Sequence, residues 1–213
     1  MSKRERNKAA NRAAILAAAR QVFTALGYEA ATIRDVIRAT PLAAGTFYNY
    51  FRDKESVFRA LLAETNAAMR VRVRAARAAA TDLESFVREA YRAYYETWAA
   101  DPVALGLFRR NASAIRNLFE APVLQAAFQE LRADIEAAIA RGDLPPVDPA
   151  YLTAAMGGVA IEVGVAMAER EPFDVAGATA FSTALFLGGI PTLPRIARKV
   201  RPAARRRRRA KAA

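Results

Sequence analysis

Residues 32–54 read TIRDVIRATPLAAGTFYNYFRDK, and this stretch predicts two short helices joined by a tight turn. Thr32 is a residue type preferred at helix N-caps, and Asp35, three positions later, completes a capping box. Pro41 lacks a backbone N–H and disfavours helical geometry at the residue before it, so the first helix must end there. A second short helix is expected over about 44–51. The stretch therefore predicts a helix-turn-helix.

The second helix of this pair has two unlike faces. Phe47 and Phe51 lie four residues apart, so both can face inward. The opposite face carries small and hydrogen-bonding residues: Gly45, Thr46, Tyr48, Asn49 and Tyr50. A glycine costs a helix roughly 1 kcal/mol relative to alanine, which suits a place where the backbone approaches another molecule closely. A DNA phosphate or base edge is such a partner.

The order of these motifs resembles the DNA-binding domain of the tetracycline-repressor (TetR) family of bacterial transcriptional regulators. The resemblance covers residues 12 to about 62, where RAAILAAARQVFTALGY, Thr-x-x-Asp-Val, Gly-Thr-Phe-Tyr-x-Tyr-Phe and Lys-Glu follow at the family spacing without gaps. It implies that Thr32 and Lys54 contact phosphates, that Tyr48 and Tyr50 hold the DNA backbone, and that Thr46 and Asn49 face the bases. The DNA-binding set implied in this way is Thr32, Arg34, Ala43, Ala44, Gly45, Thr46, Tyr48, Asn49, Tyr50 and Lys54.

Two departures from the family pattern concern DNA affinity. Thr40-Pro41-Leu42 replaces the usual small-residue turn, and Ala44 stands where a basic residue often precedes the glycine. One phosphate or guanine contact is therefore expected to be missing, and other cations should compensate.

The charge of the chain is concentrated at its two ends. The net charge is +12; residues 1–54 carry ten Lys or Arg and four acidic residues, and residues 195–213 carry ten and none. Basic ends around a mildly acidic centre are typical of nucleic-acid binding. A genome whose base usage favours Ala and Arg codons would also explain part of the excess. The basic residues near the N-terminus (Lys3, Arg4, Arg6, Lys8, Arg12) are expected either to form an arm that reaches the DNA or to be disordered. The tail over 195–213 is predicted to be disordered.

The chain contains no cysteine and no histidine. Disulfides, zinc sites built on these residues and histidine-dependent catalysis are therefore excluded. Glu162 and Glu169 form a near pair of acids on one predicted helix face, but such a pair alone is weak support for catalysis, so we expect neither an enzyme nor a metal or organic cofactor.

Beyond residue 53 the apolar periodicity is helical, and no segment alternates as a strand would. Helices are predicted at about 54–79, 82–99, 102–115, 121–140, 148–169 and 174–189. We expect an all-α protein with a DNA-binding domain over 1–54, a helical effector-binding and dimerisation domain over 55–194, and the basic tail. The uncharged run over 175–194 is long enough to span a bilayer, but its Thr, Ser, Gly and Pro residues favour a bundle, and a cytoplasmic protein is predicted.

The last two predicted helices are candidates for a homodimer interface. Small residues recur along both and would allow close helix approach: Ala155, Gly157, Gly158, Ala160, Gly164 and Ala168 on one, and Ala176, Ala180, Ala184 and Gly188 on the other. Such helices would form a four-helix interface across a two-fold axis, as the family does. A pair of core helices within a monomer is the alternative.

The middle helices are expected to enclose a small-molecule effector. Aromatic residues at helical spacing supply an apolar surface, which is equally typical of an ordinary core, and amides and charges beside them would orient a ligand. The candidate ligand-binding residues are Tyr91, Tyr94, Tyr95, Trp98, Phe108, Asn111, Arg116, Phe128 and Glu162. Arginine favours an acyl-type anionic ligand, whereas Glu162, if buried, would favour a cationic drug-like one.

The sequence thus predicts a dimeric regulator that binds a pseudo-palindromic double-stranded DNA operator and is released by a small molecule. A protein that binds nucleic acid or anionic lipid nonspecifically through its basic ends is the alternative.

Overall fold

The computed structural model describes residues 2–117 and 122–194, and side chains within these ranges except at 116, 117 and 122–124. Every regular element in these ranges is helical, which confirms the all-α prediction. The helices are α1 (Lys3–Leu26), α2 (Ile33–Arg38), α3 (Ala44–Tyr48), α4 (Lys54–Ala78), α5 (Leu83–Ala100), α6 (Pro102–Arg110), α7 (Ala112–Asn117), α8 (Pro122–Arg141), α9 (Pro149–Met167), α10 (Val175–Gly189) and a 3-10 turn (Ile190–Thr192). The basic tail predicted over 195–213 lies outside the described residues.

Side-chain caps fix where most of these helices begin. Capping boxes start α1, α2, α4 and α5, with the cap residue bonded to the third residue of the helix in each case. Aspartates cap the first turns of α6, α9 and α10. These caps satisfy N–H groups that have no partner inside the helix, so local sequence alone sets the boundaries.

The N-terminal helices share one hydrophobic cluster. Phe23 of α1, Val36 of α2, Phe47 of α3 and Phe58 of α4 are all fully or almost fully buried in it. Burial of each such side chain contributes roughly 1.5–3 kcal/mol. The cluster continues along α4 to Leu62 and takes in Leu107 of α6, so α4 belongs to both halves of the molecule.

The second cluster is built around α5, which packs against α4, α6, α9 and α10. Tyr95 at its centre is fully buried and shares a 2.8 Å hydrogen bond with Ser182 of α10. Tyr91, one turn earlier, donates its hydroxyl to the carbonyl oxygen of Met156 on α9 at 3.1 Å. The polar ends of these aromatics therefore fix α5 relative to both helices that were expected to form the dimer interface.

Three boundaries differ from the sequence predictions. Helix α3 ends at Tyr48 rather than at about residue 51, so Asn49, Tyr50 and Phe51 follow the helix. The basic N-terminal segment is neither an extended arm nor disordered but the first turns of α1, because Ser2 and Glu5 form a capping box ahead of an alanine-rich run. The predicted helix over 102–115 is interrupted at Asn111, whose side chain bonds to backbone groups outside its own helix.

The helical segments Pro149–Met167 and Val175–Thr192 are long and apolar enough to cross a membrane by length and composition, a test that core helices of soluble proteins also pass. Only 28% and 33% of their most apolar stretches are buried within the protomer. Much of their apolar surface is therefore uncovered in a single chain.

Candidate DNA-binding face and effector cavity

Helix α3 buries one face and exposes the other. Phe47 and Phe51 are buried, as predicted, whereas Gly45, Tyr48 and Asn49 are exposed and Tyr48 has 58% of its surface accessible. Apart from its chain neighbours and the backbone of its own helix, no described atom lies within 4 Å of the position that a Cβ on Gly45 would occupy. Internal packing therefore gives no reason for a glycine there.

The start of α2 is held by its capping box. The Thr32 hydroxyl donates to Asp35 at 2.6 Å, and the Asp35 N–H donates back to the Thr32 hydroxyl oxygen at 3.3 Å. The hydrogen bond from the Thr32 side chain lowers the pKa of Asp35 below its ordinary value. Thr32 and Arg34 are both exposed at this end of α2, so their predicted DNA contacts are sterically open.

Lys54 occupies a more constrained place than the sequence indicated. Its ammonium group donates to the carbonyl oxygens of Tyr28 at 2.6 Å, Ala31 at 3.1 Å and Glu29 at 3.3 Å, and lies 4.4 Å from the centroid of the Tyr28 ring. Lysine has three N–H donors, so this set uses all of them. Lys54 therefore fastens the turn between α1 and α2 to the start of α4, and its predicted phosphate contact would compete with these bonds.

The remaining predicted DNA-binding residues border the same surface. Ala43 and Ala44 are exposed at the start of α3, and Thr46 and Tyr50 are partly exposed. The structure thus brings the ten predicted residues to one region around α2 and α3, while their contacts with DNA remain predictions.

A cavity of about 140 Å³ lies in the second half of the molecule, between α4, α5, α8 and α9. Its lining is mainly apolar and includes five of the predicted ligand-binding residues: Tyr91, Tyr94, Trp98, Phe108 and Phe128. Gly157 of α9 faces the Phe128 ring so closely that a Cβ there would overlap it. The missing side chain of Gly157 is therefore what lets Phe128 reach into the cavity wall.

Three other predicted ligand-binding residues lie away from this cavity, and Arg116 lies outside the described side chains. Tyr95 is in the core beside α10. Glu162 is exposed on α9 rather than buried, so the structure gives no buried acid there for a cationic ligand. Asn111 donates to the carbonyl oxygens of Leu107 at 2.6 Å and Phe23 at 3.2 Å, and accepts from the N–H of Tyr28. Asn111 thus joins the α6–α7 junction to the end of α1.

The charged groups at the cavity come from α4 and α8, where sequence reasoning did not place them. Arg70 forms an ion pair with Glu130, and the buried Arg77 forms one with Asp134 at 2.7 Å. The hydrogen bond from Arg70 lowers the pKa of Glu130. The spacing of Arg70, Arg74 and Arg77 by four and three residues was the available signal, since it places all three on one face of a helix.

The exposed faces of α9 and α10 carry large apolar side chains. Tyr151, Phe181 and Leu185 are 79%, 60% and 49% exposed. All four small residues predicted on α10 are exposed with them, but only some of the small residues predicted on α9 are exposed. Ala155 and Gly158 are exposed, whereas Ala160 and Gly157 line the cavity, Gly164 packs against Tyr94 and Tyr95, and Ala168 is partly buried.

Sequence comparison matches the DNA-binding end of the chain. Residues 15–61 match the profile of the tetR family of bacterial regulatory proteins. The HTH-type transcriptional repressor AcnR of Corynebacterium glutamicum is 42% identical over 59 residues, which cover 28% of this chain and 31% of that repressor. The chain therefore spans less than a third of the length of the first curated repressors that it matches.

Solved structures extend the likeness to the rest of the fold. A TetR-family transcriptional regulator from Pectobacterium atrosepticum is 26% identical, with a TM-score of 0.65 over 91% of this chain and 97% of that one. FadR from Bacillus subtilis, solved in complex with stearoyl-CoA, has the same fold with a TM-score of 0.71 at 17% identity, over 83% and 97% of the two chains. These relatives are regulators rather than enzymes; residues 15–61 of this chain are similar to the TetR-type DNA-binding domain, and the rest of its fold is like that of TetR-family regulators.

Proposed function

We propose that this protein is a dimeric transcriptional repressor that binds a pseudo-palindromic operator and is released from it by an apolar or amphipathic small molecule. The exposed polar face of α3 is the observation that carries the proposal. Tyr48 at the end of α3 and Asn49 directly after it are exposed, while Phe47 in the helix and Phe51 after it are buried in the N-terminal cluster. A short, rigidly held helix with exposed hydrogen-bonding side chains suits the major groove.

Dimerisation is inferred from the uncovered faces of α9 and α10. Phe181 and Leu185, with the small residues beside them, leave an apolar surface that a second copy would bury. A two-fold axis here would present two α3 helices to successive major grooves, roughly 34–36 Å apart. The protein would then act in the cytoplasm on double-stranded DNA.

Effector control is inferred from the path of α4. Lys54 at its start holds the α1–α2 turn, and Arg70 and Arg77 in its second half line the cavity. A ligand that binds better to a shifted position of α4 would therefore change the separation of the two α3 helices. A 100-fold loss of operator affinity needs about 2.7 kcal/mol of coupling between the sites, an ordinary magnitude. The cavity lining favours acyl-type effectors, the class of ligand in the FadR complex.

The first experiment is operator binding. We expect the full chain to bind the DNA immediately upstream of its own gene at least roughly 10³-fold more tightly than a scrambled duplex, measured by fluorescence anisotropy at about 0.15 M salt. Sequence-independent binding that disappears at higher salt, for this duplex and for a genome-derived pool, would refute a sequence-specific repressor.

A further inference from the structure

The cavity is small for the effector that the proposed function requires. Its volume of about 140 Å³ lies below the roughly 300–1,000 Å³ typical of ligand pockets. An apolar cavity of about this size holds a group no larger than benzene, or a chain of a few methylenes. A complete effector must therefore extend beyond it.

A larger and more polar groove of about 690 Å³ lies beside it, between the end of α4, the start of α5 and the end of α8. Leu83, Phe86 and Leu144 form its apolar part. Three arginines and three aspartates line the rest: Arg74, Arg77, Arg141, Asp82, Asp134 and Asp143.

Arg77 is the one described residue that lines both spaces. Its side chain is only 7% exposed, whereas its partner Asp134 is 40% exposed. A buried guanidinium needs a paired anion, but a carboxylate as exposed as Asp134 can return to water at small cost. The Arg77–Asp134 ion pair thus lies between the cavity and the groove, and another anion can replace Asp134 as the partner of Arg77.

We propose that the cavity and the groove are two parts of one site for an amphipathic anion. Its short apolar portion lies in the cavity on the side of Tyr91 and Met156, and its anionic head lies in the groove on Arg74 and Arg77, in place of Asp134. The proposal rests on the effector role proposed above for the cavity and adds the charge of the ligand and the residues that recognise it.

The other charges of the groove are already engaged. Arg141 pairs with Asp143 at 2.7 Å, and Asp82 accepts the N–H of Ser85 as the cap of α5. Arg74, in contrast, is exposed and makes no hydrogen bond or ion pair with another described residue, and its charge acts only at longer range, where it helps to lower the pKa of Glu130. Arg74 and Arg77 lie three residues apart on α4, so they can face a single phosphate or carboxylate together.

Octyl phosphate and octan-1-ol are suitable probes because they share a tail and differ in the head. Binding to the full chain is measured by calorimetry without DNA, and by the fluorescence of Trp98, the only tryptophan of the chain. We expect octyl phosphate to bind at least roughly tenfold more tightly than octan-1-ol, the effect of one charge-assisted hydrogen bond.

Two variants should change this preference in opposite directions. Arg74→Gln is expected to weaken octyl phosphate binding about tenfold, and Asp134→Asn is expected to strengthen it several-fold because the competitor for Arg77 is neutralised. Neither should change octan-1-ol binding. Arg72→Gln on α4 and Glu136→Gln on α8, both exposed and outside the two spaces, are the matched controls.

The proposal is overturned if neither probe binds, if both probes bind equally, or if the two variants act no differently from their controls. Because DNA is absent, the result is separate from repressor function. Octyl phosphate binding as expected in a chain without operator preference would leave this site standing and refute the repressor. Operator preference without anion selectivity would support the repressor and refute the anion site.

Discussion

The tyrosines of α3 and α5 have opposite environments. Tyr48 of α3 is largely exposed, and the centroid of its ring lies 5.4 Å from that of Phe47. Tyr95 of α5 is fully buried and hydrogen-bonded to Ser182. Tyr95 therefore stabilises the fold, whereas Tyr48 contributes little to it. An exposed aromatic with a polar tip that contributes little to the fold is available for a partner.

The sharpest test of this contrast is Tyr95→Ala. Removal of a large, fully buried ring leaves a cavity and an unpaired Ser182, so the free energy of unfolding should fall by about 3–5 kcal/mol. Tyr48→Ala, measured by the same denaturant titration, should change it by less than about 0.5 kcal/mol. Equal losses in the two variants would show that α3 is as tightly integrated as α5.

An exposed aromatic on α10 extends the contrast to that helix. Phe181→Glu places a charge on the proposed dimer surface and should raise the dimer dissociation constant by about 100-fold or more. Sedimentation at several protein concentrations measures this, with Val103→Glu on α6, also exposed, as the control. A variant that remains as dimeric as the control would place the dimer interface elsewhere.

Lys54 tests whether a residue of the proposed DNA face also supports the fold. Lys54→Met removes three charge-assisted hydrogen bonds and the contact with Tyr28, so stability should fall by about 1–2 kcal/mol. Lys8→Met on the exposed side of α1 should have almost no effect on unfolding by urea. If the two variants are equally stable, the Lys54 ammonium is free for a phosphate.

For DNA binding, Tyr48→Ala should weaken operator affinity about tenfold, and Tyr48→Phe should show how much of the loss belongs to the hydroxyl. Anisotropy with the same operator duplex measures both. Wild-type affinity in Tyr48→Ala would remove Tyr48 from the contact surface.

The smallest expected effect is on pH dependence. Burial raises the pKa of Tyr95 to about 12 from an ordinary value of 10. Between these values the unfolded phenol ionises while the folded one keeps its proton, so this contribution to stability is present below pH 10 and is lost as the pH rises. Between pH 9 and pH 11 the free energy of unfolding should therefore fall by up to about 1 kcal/mol less in Tyr95→Phe than in the wild-type protein. Urea unfolding at the two pH values measures this difference.

The outcome for the predicted site residues follows the same division. Around α2 and α3 the sequence predicted the helix starts, the inward pair Phe47 and Phe51 and the exposed residues between them. In the effector domain it predicted five cavity-lining aromatics, but it also included Tyr95, Asn111 and Glu162, which lie elsewhere. It did not identify Arg70 or Arg77, because a basic residue at helical spacing is typical of a solvated surface.

The helical class, most helix boundaries and the helix-turn-helix follow from local sequence. Caps, prolines and apolar periodicity act over three to five residues, so they can be recognised without knowledge of the fold. Two features follow from helix packing instead: Gly157 meets Phe128 while its neighbour Gly158 is exposed, and Lys54 reaches back to the Tyr28 turn. These outcomes depend on the rotation of one helix against another, which is set by contacts between residues far apart in the chain.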